Sequence, residues 1–250
     1  MNLSYLPKKA AEFFGGTVML LVAYLALREL GLYQWTAREA EGVTILIQLL
    51  GDIYAVLLAF MIFVIWTQFT EVENCVIREA DSLHELLRFS AFLNDDARST
   101  IRRAIINYVR QVLGPEWAEL GEGRRERQAE EAFAKLEAAV LGVTPKDVTE
   151  SFLRDNLFQT LRAVSRNRDE RLARSLTRMP PTLSGLVKLI AAVLLLLVFV
   201  YPFHHSVAGA TFIVVAALVL FLANFVMTDT DNPLKGVWNV RPDAFSQLPH

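Results

Sequence analysis

One carboxylate, Asp52, lies inside a long and largely apolar stretch that runs from Gly42 to Phe69. A charged side chain that faces lipid costs at least ~2.5 kcal/mol, so an acid within a membrane normally faces protein or water. Two interpretations follow. Asp52 either pairs with a hydroxyl, an amide, Arg28 or Arg38 and only holds helices together, or it lines a water-filled path. In both cases Asp52 marks the inward side of its helix.

The helical period places Asp52 on a stripe of residues that changes character along its length. Its outer end is polar, its middle is aromatic and its inner end is acidic. The predicted pore-lining residues on or beside this stripe are Gln48, Asp52, Val56, Ala59, Phe60, Phe63, Trp66, Thr70 and Glu73. The aromatic residues favour the water-filled path, because they share a face with the acid. Phe63 and Trp66, with Ala59 or Phe60 above them, are predicted to form a constriction that can close by dewetting.

A second cluster that could do chemistry follows the last apolar run and consists of Asp229, Asp231 and Asn232. Hard oxygen ligands at close spacing make calcium the natural candidate for a metal, and no other cofactor is indicated. An EF-hand is excluded, because Pro233 occupies the fifth position and no loop glutamate follows. The alternative is a capped turn, since the sequence TDTDNP is typical of turns.

Other reactive residue types give weaker signals. His204 and His205 are adjacent but have no third ligand nearby, which favours a turn at the membrane interface over a metal site. The single Cys75 excludes an internal disulfide and is predicted to be a small packing residue. The sequence has no Walker loop, Rossmann glycines, nucleophile elbow, HExxH motif or paired cysteines, so we expect a protein that is not an enzyme.

The elements that must position these residues are apolar runs long enough to cross a membrane. The run from Gly42 to Phe69 makes ~42 Å of helix, more than the ~30 Å hydrocarbon core needs. No Pro or Gly occurs between Asp52 and Gly114, so this helix is predicted to continue unbroken to about Leu93. The other spans are predicted at residues 13–30, 183–203 and 207–227.

Between the second and third spans the composition turns charged. Residues 71–183 hold 18 of the 25 Lys and Arg and 19 of the 27 Asp and Glu. The pattern predicts helices only: one after the cap cluster 94–96, ending at a Gly114–Pro115 break, one at about 129–141, and one from Pro145–Lys146 to Arg178. The core is predicted to include Val76, Leu83, Leu87, Ile105, Val109, Leu157 and Leu161. The last of these helices is predicted to carry Phe152, Leu153 and Val164 on the same face as Leu157 and Leu161.

Basic residues cluster just before the third span. They are Arg166, Arg168, Arg171, Arg174 and Arg178. Such a cluster is the positive-inside signal, so we expect it to face the cytosol, next to anionic lipid. With an even number of spans, both termini are then cytosolic.

Composition sets the class of protein. With 53% hydrophobic residues and a mean hydropathy of +0.33, the chain is too apolar for an ordinary soluble domain, while 21% charged residues are too many for a protein wholly in lipid. The near-neutral charged part offers no basic surface for nucleic acid. We predict an all-α membrane protein with four transmembrane helices. Its predicted parts are residues 1–70 with spans 1 and 2, the helical cytosolic domain 71–182, residues 183–228 with spans 3 and 4, and a cytosolic tail 229–250.

Several segments carry a family resemblance. They are GDIYAVLLAF (51–60), the exit from Trp66 to Phe69, the EA of IREADSLHELLR (77–88), the stretch 108–117 and DNPLKGVWNVRPDAF (231–245). In these segments the chain resembles the bestrophin-like family of four-span bacterial and plant membrane proteins, long catalogued as a domain of unknown function. Bestrophins are pentameric ion channels, mostly for chloride, whose second helices line the pore and whose calcium clasp follows the fourth helix. The resemblance implies the fold, a homo-pentamer and the pore helix.

We therefore expect an oligomeric, bestrophin-like ion channel in the bacterial inner membrane, in contact with lipid, ions and copies of itself. The rival hypothesis is a non-conducting membrane scaffold or signalling adaptor whose cytosolic helices bind a partner. A transporter would need inverted repeats and broken membrane helices, and no repeat is visible in the sequence.

Overall fold

The computed structural model describes residues 6–31, 36–145 and 148–248, and every regular element in these ranges is a helix. The main helices are α1 (Leu6–Glu29), α2 (Ala40–Ser90), α3 (Asp95–Gln111), α4 (Trp117–Gly121), α5 (Arg127–Leu141), α6 (Val148–Leu176), α7 (Pro181–Val200) and α8 (Ser206–Thr230). Short 3₁₀ helices cover Ala37–Glu39 and Phe245–Gln247. The predicted all-α fold class is confirmed.

Four of the described helical stretches are long and apolar enough to cross a membrane. Their apolar parts lie in α1, α2, α7 and α8, where the four spans were predicted. The 51 residues of α2 confirm that one helix continues from the second span into the charged region. It ends at Ser90, three residues before the predicted end, and the chain turns at residues 91–93.

Residues 1–66 and 179–231 form one compact unit, called here the membrane unit. It contains α1, the first part of α2, α7 and α8. One small cluster of its buried residues consists of Tyr54, Met61, Ile65, Met179, Val187, Ala191, Leu194 and Met227, and Tyr24, Ile213 and Ala217 are buried as well. Most other apolar side chains of these helices lie at the surface of the single chain.

Close approach of α1 and α8 in the membrane unit depends on Gly209. A Cβ atom at this position would lie 1.9 Å from Tyr24 Oη and 2.9 Å from Phe203 Cδ2, so the buried Tyr24 ring occupies the space that a side chain would need. Arg28 donates from Nη1 to Tyr24 Oη (3.2 Å) and to the Phe203 carbonyl (2.9 Å), and from Nη2 to the His204 carbonyl (2.9 Å). These contacts hold α1 to the turn between α7 and α8.

Residues 67–178 and 232–248 belong to a second compact unit, called here the charged unit. As predicted, α3 begins after Asn94, whose Oδ1 accepts a hydrogen bond from the Ala97 N–H (3.0 Å). The predicted core residues Val76, Leu83, Ile105, Val109, Leu157 and Leu161 are buried, as is Val164, and Leu87 packs against them. Cys75 is buried as well, as predicted.

The predicted helix break at Gly114–Pro115 is wrong. A π-helical turn, Val112–Glu116, instead carries the chain from α3 into α4. Pro115 has no N–H and would cost an α-helix a hydrogen bond, but the wider turn accommodates it. The Trp117 N–H bonds to the Val112 carbonyl, five residues back. Gly114 and Pro115 therefore do not end the helix. They lie in a π-helical bulge between α3 and α4.

The predicted start of α6 at Pro145–Lys146 falls partly outside the described residues. Pro145 itself is not helical, Lys146 lies outside the described residues, and the described part of the helix begins at Val148. Phe152, predicted to share a face of this helix with Leu157, is 69% exposed. At 100° per residue Phe152 projects about 140° away from Leu157, so the two side chains cannot share a narrow buried face.

The segment after α8 is part of the charged unit's core. Leu234, Val240, Phe245 and Leu248 are all buried in it. A turn at residues 232–240 positions them: Gly236 has a φ of 121°, and the Val240 N–H bonds to the Pro233 carbonyl at 2.7 Å. The positive φ explains why glycine occupies this turn.

Candidate pore-lining face and the ion-pair network

The predicted stripe on α2 is exposed in the single chain. Val56, Phe63 and Trp66 are 71%, 66% and 52% exposed. Gln48, Asp52, Ala59, Phe60 and Glu73 are also exposed, and Thr70 is partly buried. The stripe joins acids and large apolar side chains on one surface, which a soluble helix would not normally offer to water.

The opposite side of α2 carries the side chains that pack inside each unit. Within the membrane unit these are Tyr54, Met61 and Ile65, and within the charged unit they include Val72, Val76, Glu79 and Leu83. At 100° per residue both sets project roughly 140° to 180° away from Phe63. Within each unit, α2 therefore has one buried side and one exposed side.

Asp52 lies on the exposed side of α2. Its carboxylate forms no hydrogen bond or ion pair with the described residues, and Arg28, one of its predicted partners, is bound to the turn at Phe203 and His204 instead. Asp52 therefore does not join helices of its own chain through Arg28.

Two of the proposed calcium ligands, Asp231 and Asn232, form hydrogen bonds with backbone groups. Asp231 Oδ1 accepts a hydrogen bond from the Met179 N–H at 2.8 Å within the membrane unit. In the charged unit, Asn232 donates to the Gly121 carbonyl (2.9 Å) and accepts from the Leu234 N–H (3.2 Å). Asp229 is partly buried. Among the described residues no group of three or more His, Cys, Asp or Glu side chains could hold a metal ion. Whether Asp229, Asp231 and Asn232 bind calcium stays a prediction.

A cluster of charged side chains is buried in the charged unit. Glu79, Glu116 and Arg171 are fully buried and Arg168 is 3% exposed. Arg171 Nε bonds to Glu79 Oε2 at 2.6 Å, and its Nη2 bonds to Glu116 Oε2 at 2.7 Å. Arg168 Nη2 lies 3.1 Å from Glu116 Oε1. Two carboxylates and two guanidinium groups therefore balance, as buried charges must. These residues and Tyr108 are called here the ion-pair network.

The five members of the ion-pair network come from four segments of the unit. Glu79 lies on α2, Tyr108 on α3, and Arg168 and Arg171 on α6. Glu116 is the last residue of the π-helical turn, so the turn that accommodates Pro115 also supplies the second carboxylate. Tyr108 donates its hydroxyl to Glu79 Oε1. The network thus joins four segments through hydrogen-bonded charges.

Burial and charge set the protonation states in the network. Burial and the nearby Glu79 carboxylate raise the pKa of Tyr108 well above its ordinary value, so the phenol stays protonated and can donate. Burial alone would lower the pKa of Arg171, but Glu79 and Glu116 outweigh it and hold that pKa above its ordinary range. The guanidinium therefore remains charged.

The predicted role of Arg168 and Arg171 in a lipid-facing cluster is wrong, because both are buried. At 100° per residue they project on the same side of α6 as Leu157, Leu161 and Val164, whereas Arg166 and Arg174 project away. Arg166 and Arg174 are exposed, as this projection requires. Glu79 likewise shares its side of α2 with Val76 and Leu83. The helical period that identified the core could therefore have identified the ion-pair network.

Comparison with known proteins gave one match. A family model described as the Bestrophin-like domain matches residues 16–245, nearly all of the chain. Neither a comparison with curated proteins nor one with solved structures gave a match. With its four apolar helices, the chain is a multi-pass membrane protein.

Proposed function

Since the chain belongs to the bestrophin-like family, we propose that it assembles into a homo-oligomeric ion channel whose path is lined by the exposed stripe of α2. The observation that carries this proposal is the two-sidedness of that helix. Residues on one side of α2 are buried within the single chain. On the other side, Asp52, Phe63 and Trp66 are exposed. An acid on a surface without protein cover is costly in lipid, so a water-filled space at a symmetry axis is the environment that suits it.

A single chain cannot enclose such a path with one lining helix, so the channel requires several copies around an axis. Five copies are proposed from the family alone. Phe63 and Trp66 then form a ring of large side chains that excludes water when closed, while Asp52 and Glu73 place acids above and below it. The channel lies in the bacterial inner membrane with both termini and the charged unit in the cytosol.

Flux through liposomes tests this proposal. Purified protein is reconstituted and flux is measured under opposed salt gradients, which report conduction and the sign of the ion together. Phe63→Ala and Trp66→Ala should each raise flux, because the shorter side chain widens the waist and leaves it wet. Ile62→Ala is the matched control, since Ile62 has the same depth but projects about 100° away from Phe63. Its flux should equal that of the unmodified protein.

The effect of Asp52 on ion preference is tested in the same liposome assay. Asp52→Asn should shift the preference toward anions, because the outer mouth loses one negative charge per subunit at nearly the same shape. Unchanged flux in both aromatic variants and unchanged selectivity in Asp52→Asn, with the oligomer intact, would remove α2 from the path. A protein that assembles but never conducts would favour the scaffold or adaptor function.

A further inference from the structure

The ion-pair network lies on the side of α2 opposite the exposed stripe. At 100° per residue Glu79 projects roughly 160° from Phe63, whereas Ile77 and Asp81 project within about 40° of it. Glu79 is fully buried, while Asp81 is exposed and Ile77 is 44% exposed. Within the charged unit, Glu73, Ile77 and Asp81 therefore lie on the exposed side of α2, and Glu79 lies on its buried side.

Hydrogen bonds in the network allow only one rotation of this part of α2. The Glu79 carboxylate accepts from Arg171 Nε at 2.6 Å and from the Tyr108 hydroxyl, and Arg171 is itself held by Glu116. Turning α2 by a single residue would move Glu79 about 100° away and leave buried charges without partners. Apolar packing alone is less selective, because Val76, Ala80 and Leu83 are interchangeable in character.

A contrast within the same helix pair supports this assignment. Arg78, next to Glu79, pairs with Glu170 of α6 at 3.3 Å, but both side chains are substantially exposed. Exposed ion pairs contribute little to the choice between conformations. Rotational selectivity in this part of α2 therefore comes from the buried pair rather than from the exposed one.

We infer that Glu79, Arg171 and Glu116 are positioning residues that set the rotation of the cytosolic half of α2 and keep Glu73, Ile77 and Asp81 facing the central ion path. This inference rests on the proposed oligomeric channel. It adds that the path continues along α2 beyond the aromatic waist, with Ile77 as an apolar ring between two acidic ones.

Disulfide cross-linking between subunits tests the rotation directly, in full-length protein in native membranes. In a Cys75→Ser background, Ile77→Cys should cross-link neighbouring copies on oxidation, because the stripe faces the axis. Adding Glu79→Gln should lower that yield severalfold, since Gln keeps the shape of the side chain but not its charge. Adding Glu170→Gln, which removes only the exposed pairs with Arg78 and Arg174, should leave the yield unchanged.

The conservative variant Glu79→Asp distinguishes a positioning role of Glu79 from a purely structural one. Glu79→Asp keeps the charge and should retain more of the cross-link and of the liposome flux than Glu79→Gln, when both are compared per assembled oligomer. If Glu79→Gln prevents assembly, Tyr108→Phe replaces it, because this variant removes a single donor to Glu79 and should give a smaller loss in the same direction.

Several outcomes would overturn the inference. One is a cross-link yield and flux that do not change in Glu79→Gln or Tyr108→Phe, and another is an equal loss in Glu79→Asp and Glu79→Gln. Failure of the proposed function looks different. There the Ile77→Cys protein with an intact network neither cross-links nor conducts.

Discussion

The two units of the molecule differ in what their interiors contain. The charged unit buries two carboxylates, two guanidinium groups and a phenol that bond to one another. The membrane unit buries mostly apolar side chains. Its internal polar contacts, such as that of Asn224 with Tyr54, join neutral groups, or join Arg28 or Asp231 with neutral partners. It also leaves large side chains such as Met19 and Val207 at its surface, 74% and 78% exposed.

This difference follows from the surroundings of each unit. When a charge is buried away from water, its ion-pair and hydrogen-bond partners inside the protein must offset the lost hydration. Removing one partner is therefore strongly destabilising. In lipid, apolar side chains need no protein cover, and the unfolded reference state also finds polar partners, so single hydrogen bonds contribute little. We therefore expect the charged unit to depend on a few residues and the membrane unit to depend on close packing.

The largest effect is expected at Arg171. Arg171→Met keeps much of the volume but leaves Glu79 and Glu116 buried with Arg168 alone, which should cost about 3–5 kcal/mol. The unfolding temperature in detergent should fall by roughly 6–20 °C. Arg174→Met is the matched control one turn later, where the arginine is 46% side-chain exposed and pairs with Glu71 and Glu170. It should cost no more than about 1 kcal/mol. Equal losses in both variants would show that burial does not distinguish the two arginines.

Local signals explain how much of the fold the sequence could predict. Span positions follow from apolar runs, the continuation of α2 beyond Asp52 from the absence of Pro and Gly there, and the start of α3 from the Asn94 cap, all of which act within a few residues. The break at Gly114–Pro115 was predicted from the same local chemistry, but the surrounding packing selected a π-helical turn. Local preference is reliable only where tertiary structure does not oppose it.

The candidate site also has one part that local sequence predicts and one part that it does not. The stripe on α2 follows from helical period alone, and its role in conduction stays a prediction. The ion-pair network was missed because Arg168 and Arg171 were counted as members of a basic cluster by their positions in the sequence. Their side of α6 was not considered. Pairing between α2, α6 and the π-helical turn depends on the tertiary fold, which one sequence does not contain as a local pattern.

An intermediate effect is expected at Gly209 in the membrane unit. Ala is the better helix former by about 1 kcal/mol, but its Cβ would lie 1.9 Å from Tyr24 Oη and must displace a buried ring. Overpacking of this kind typically costs about 1–3 kcal/mol, so Gly209→Ala should lower the unfolding temperature. Gly185→Ala is the control of opposite sign, since no atom lies within 4 Å of its Cβ position. Tyr24→Phe should recover part of the loss, because it removes the closest atom.

The smallest effect is expected at the polar pair of the membrane unit. Asn224 Nδ2 donates to Tyr54 Oη at 3.2 Å and to the Leu220 carbonyl at 2.8 Å, while its Oδ1 is buried and has no partner among the described residues. Tyr54→Phe should cost only about 0.6 kcal/mol, the average for a hydrogen bond between membrane helices. The double variant Tyr54→Phe with Asn224→Leu should be close to neutral, because it removes both partners and the unpaired oxygen together. Unfolding in detergent measures both. A loss from Tyr54→Phe as large as that from Arg171→Met would mean that the membrane unit also depends on its polar interior, and the contrast between the two units would fail.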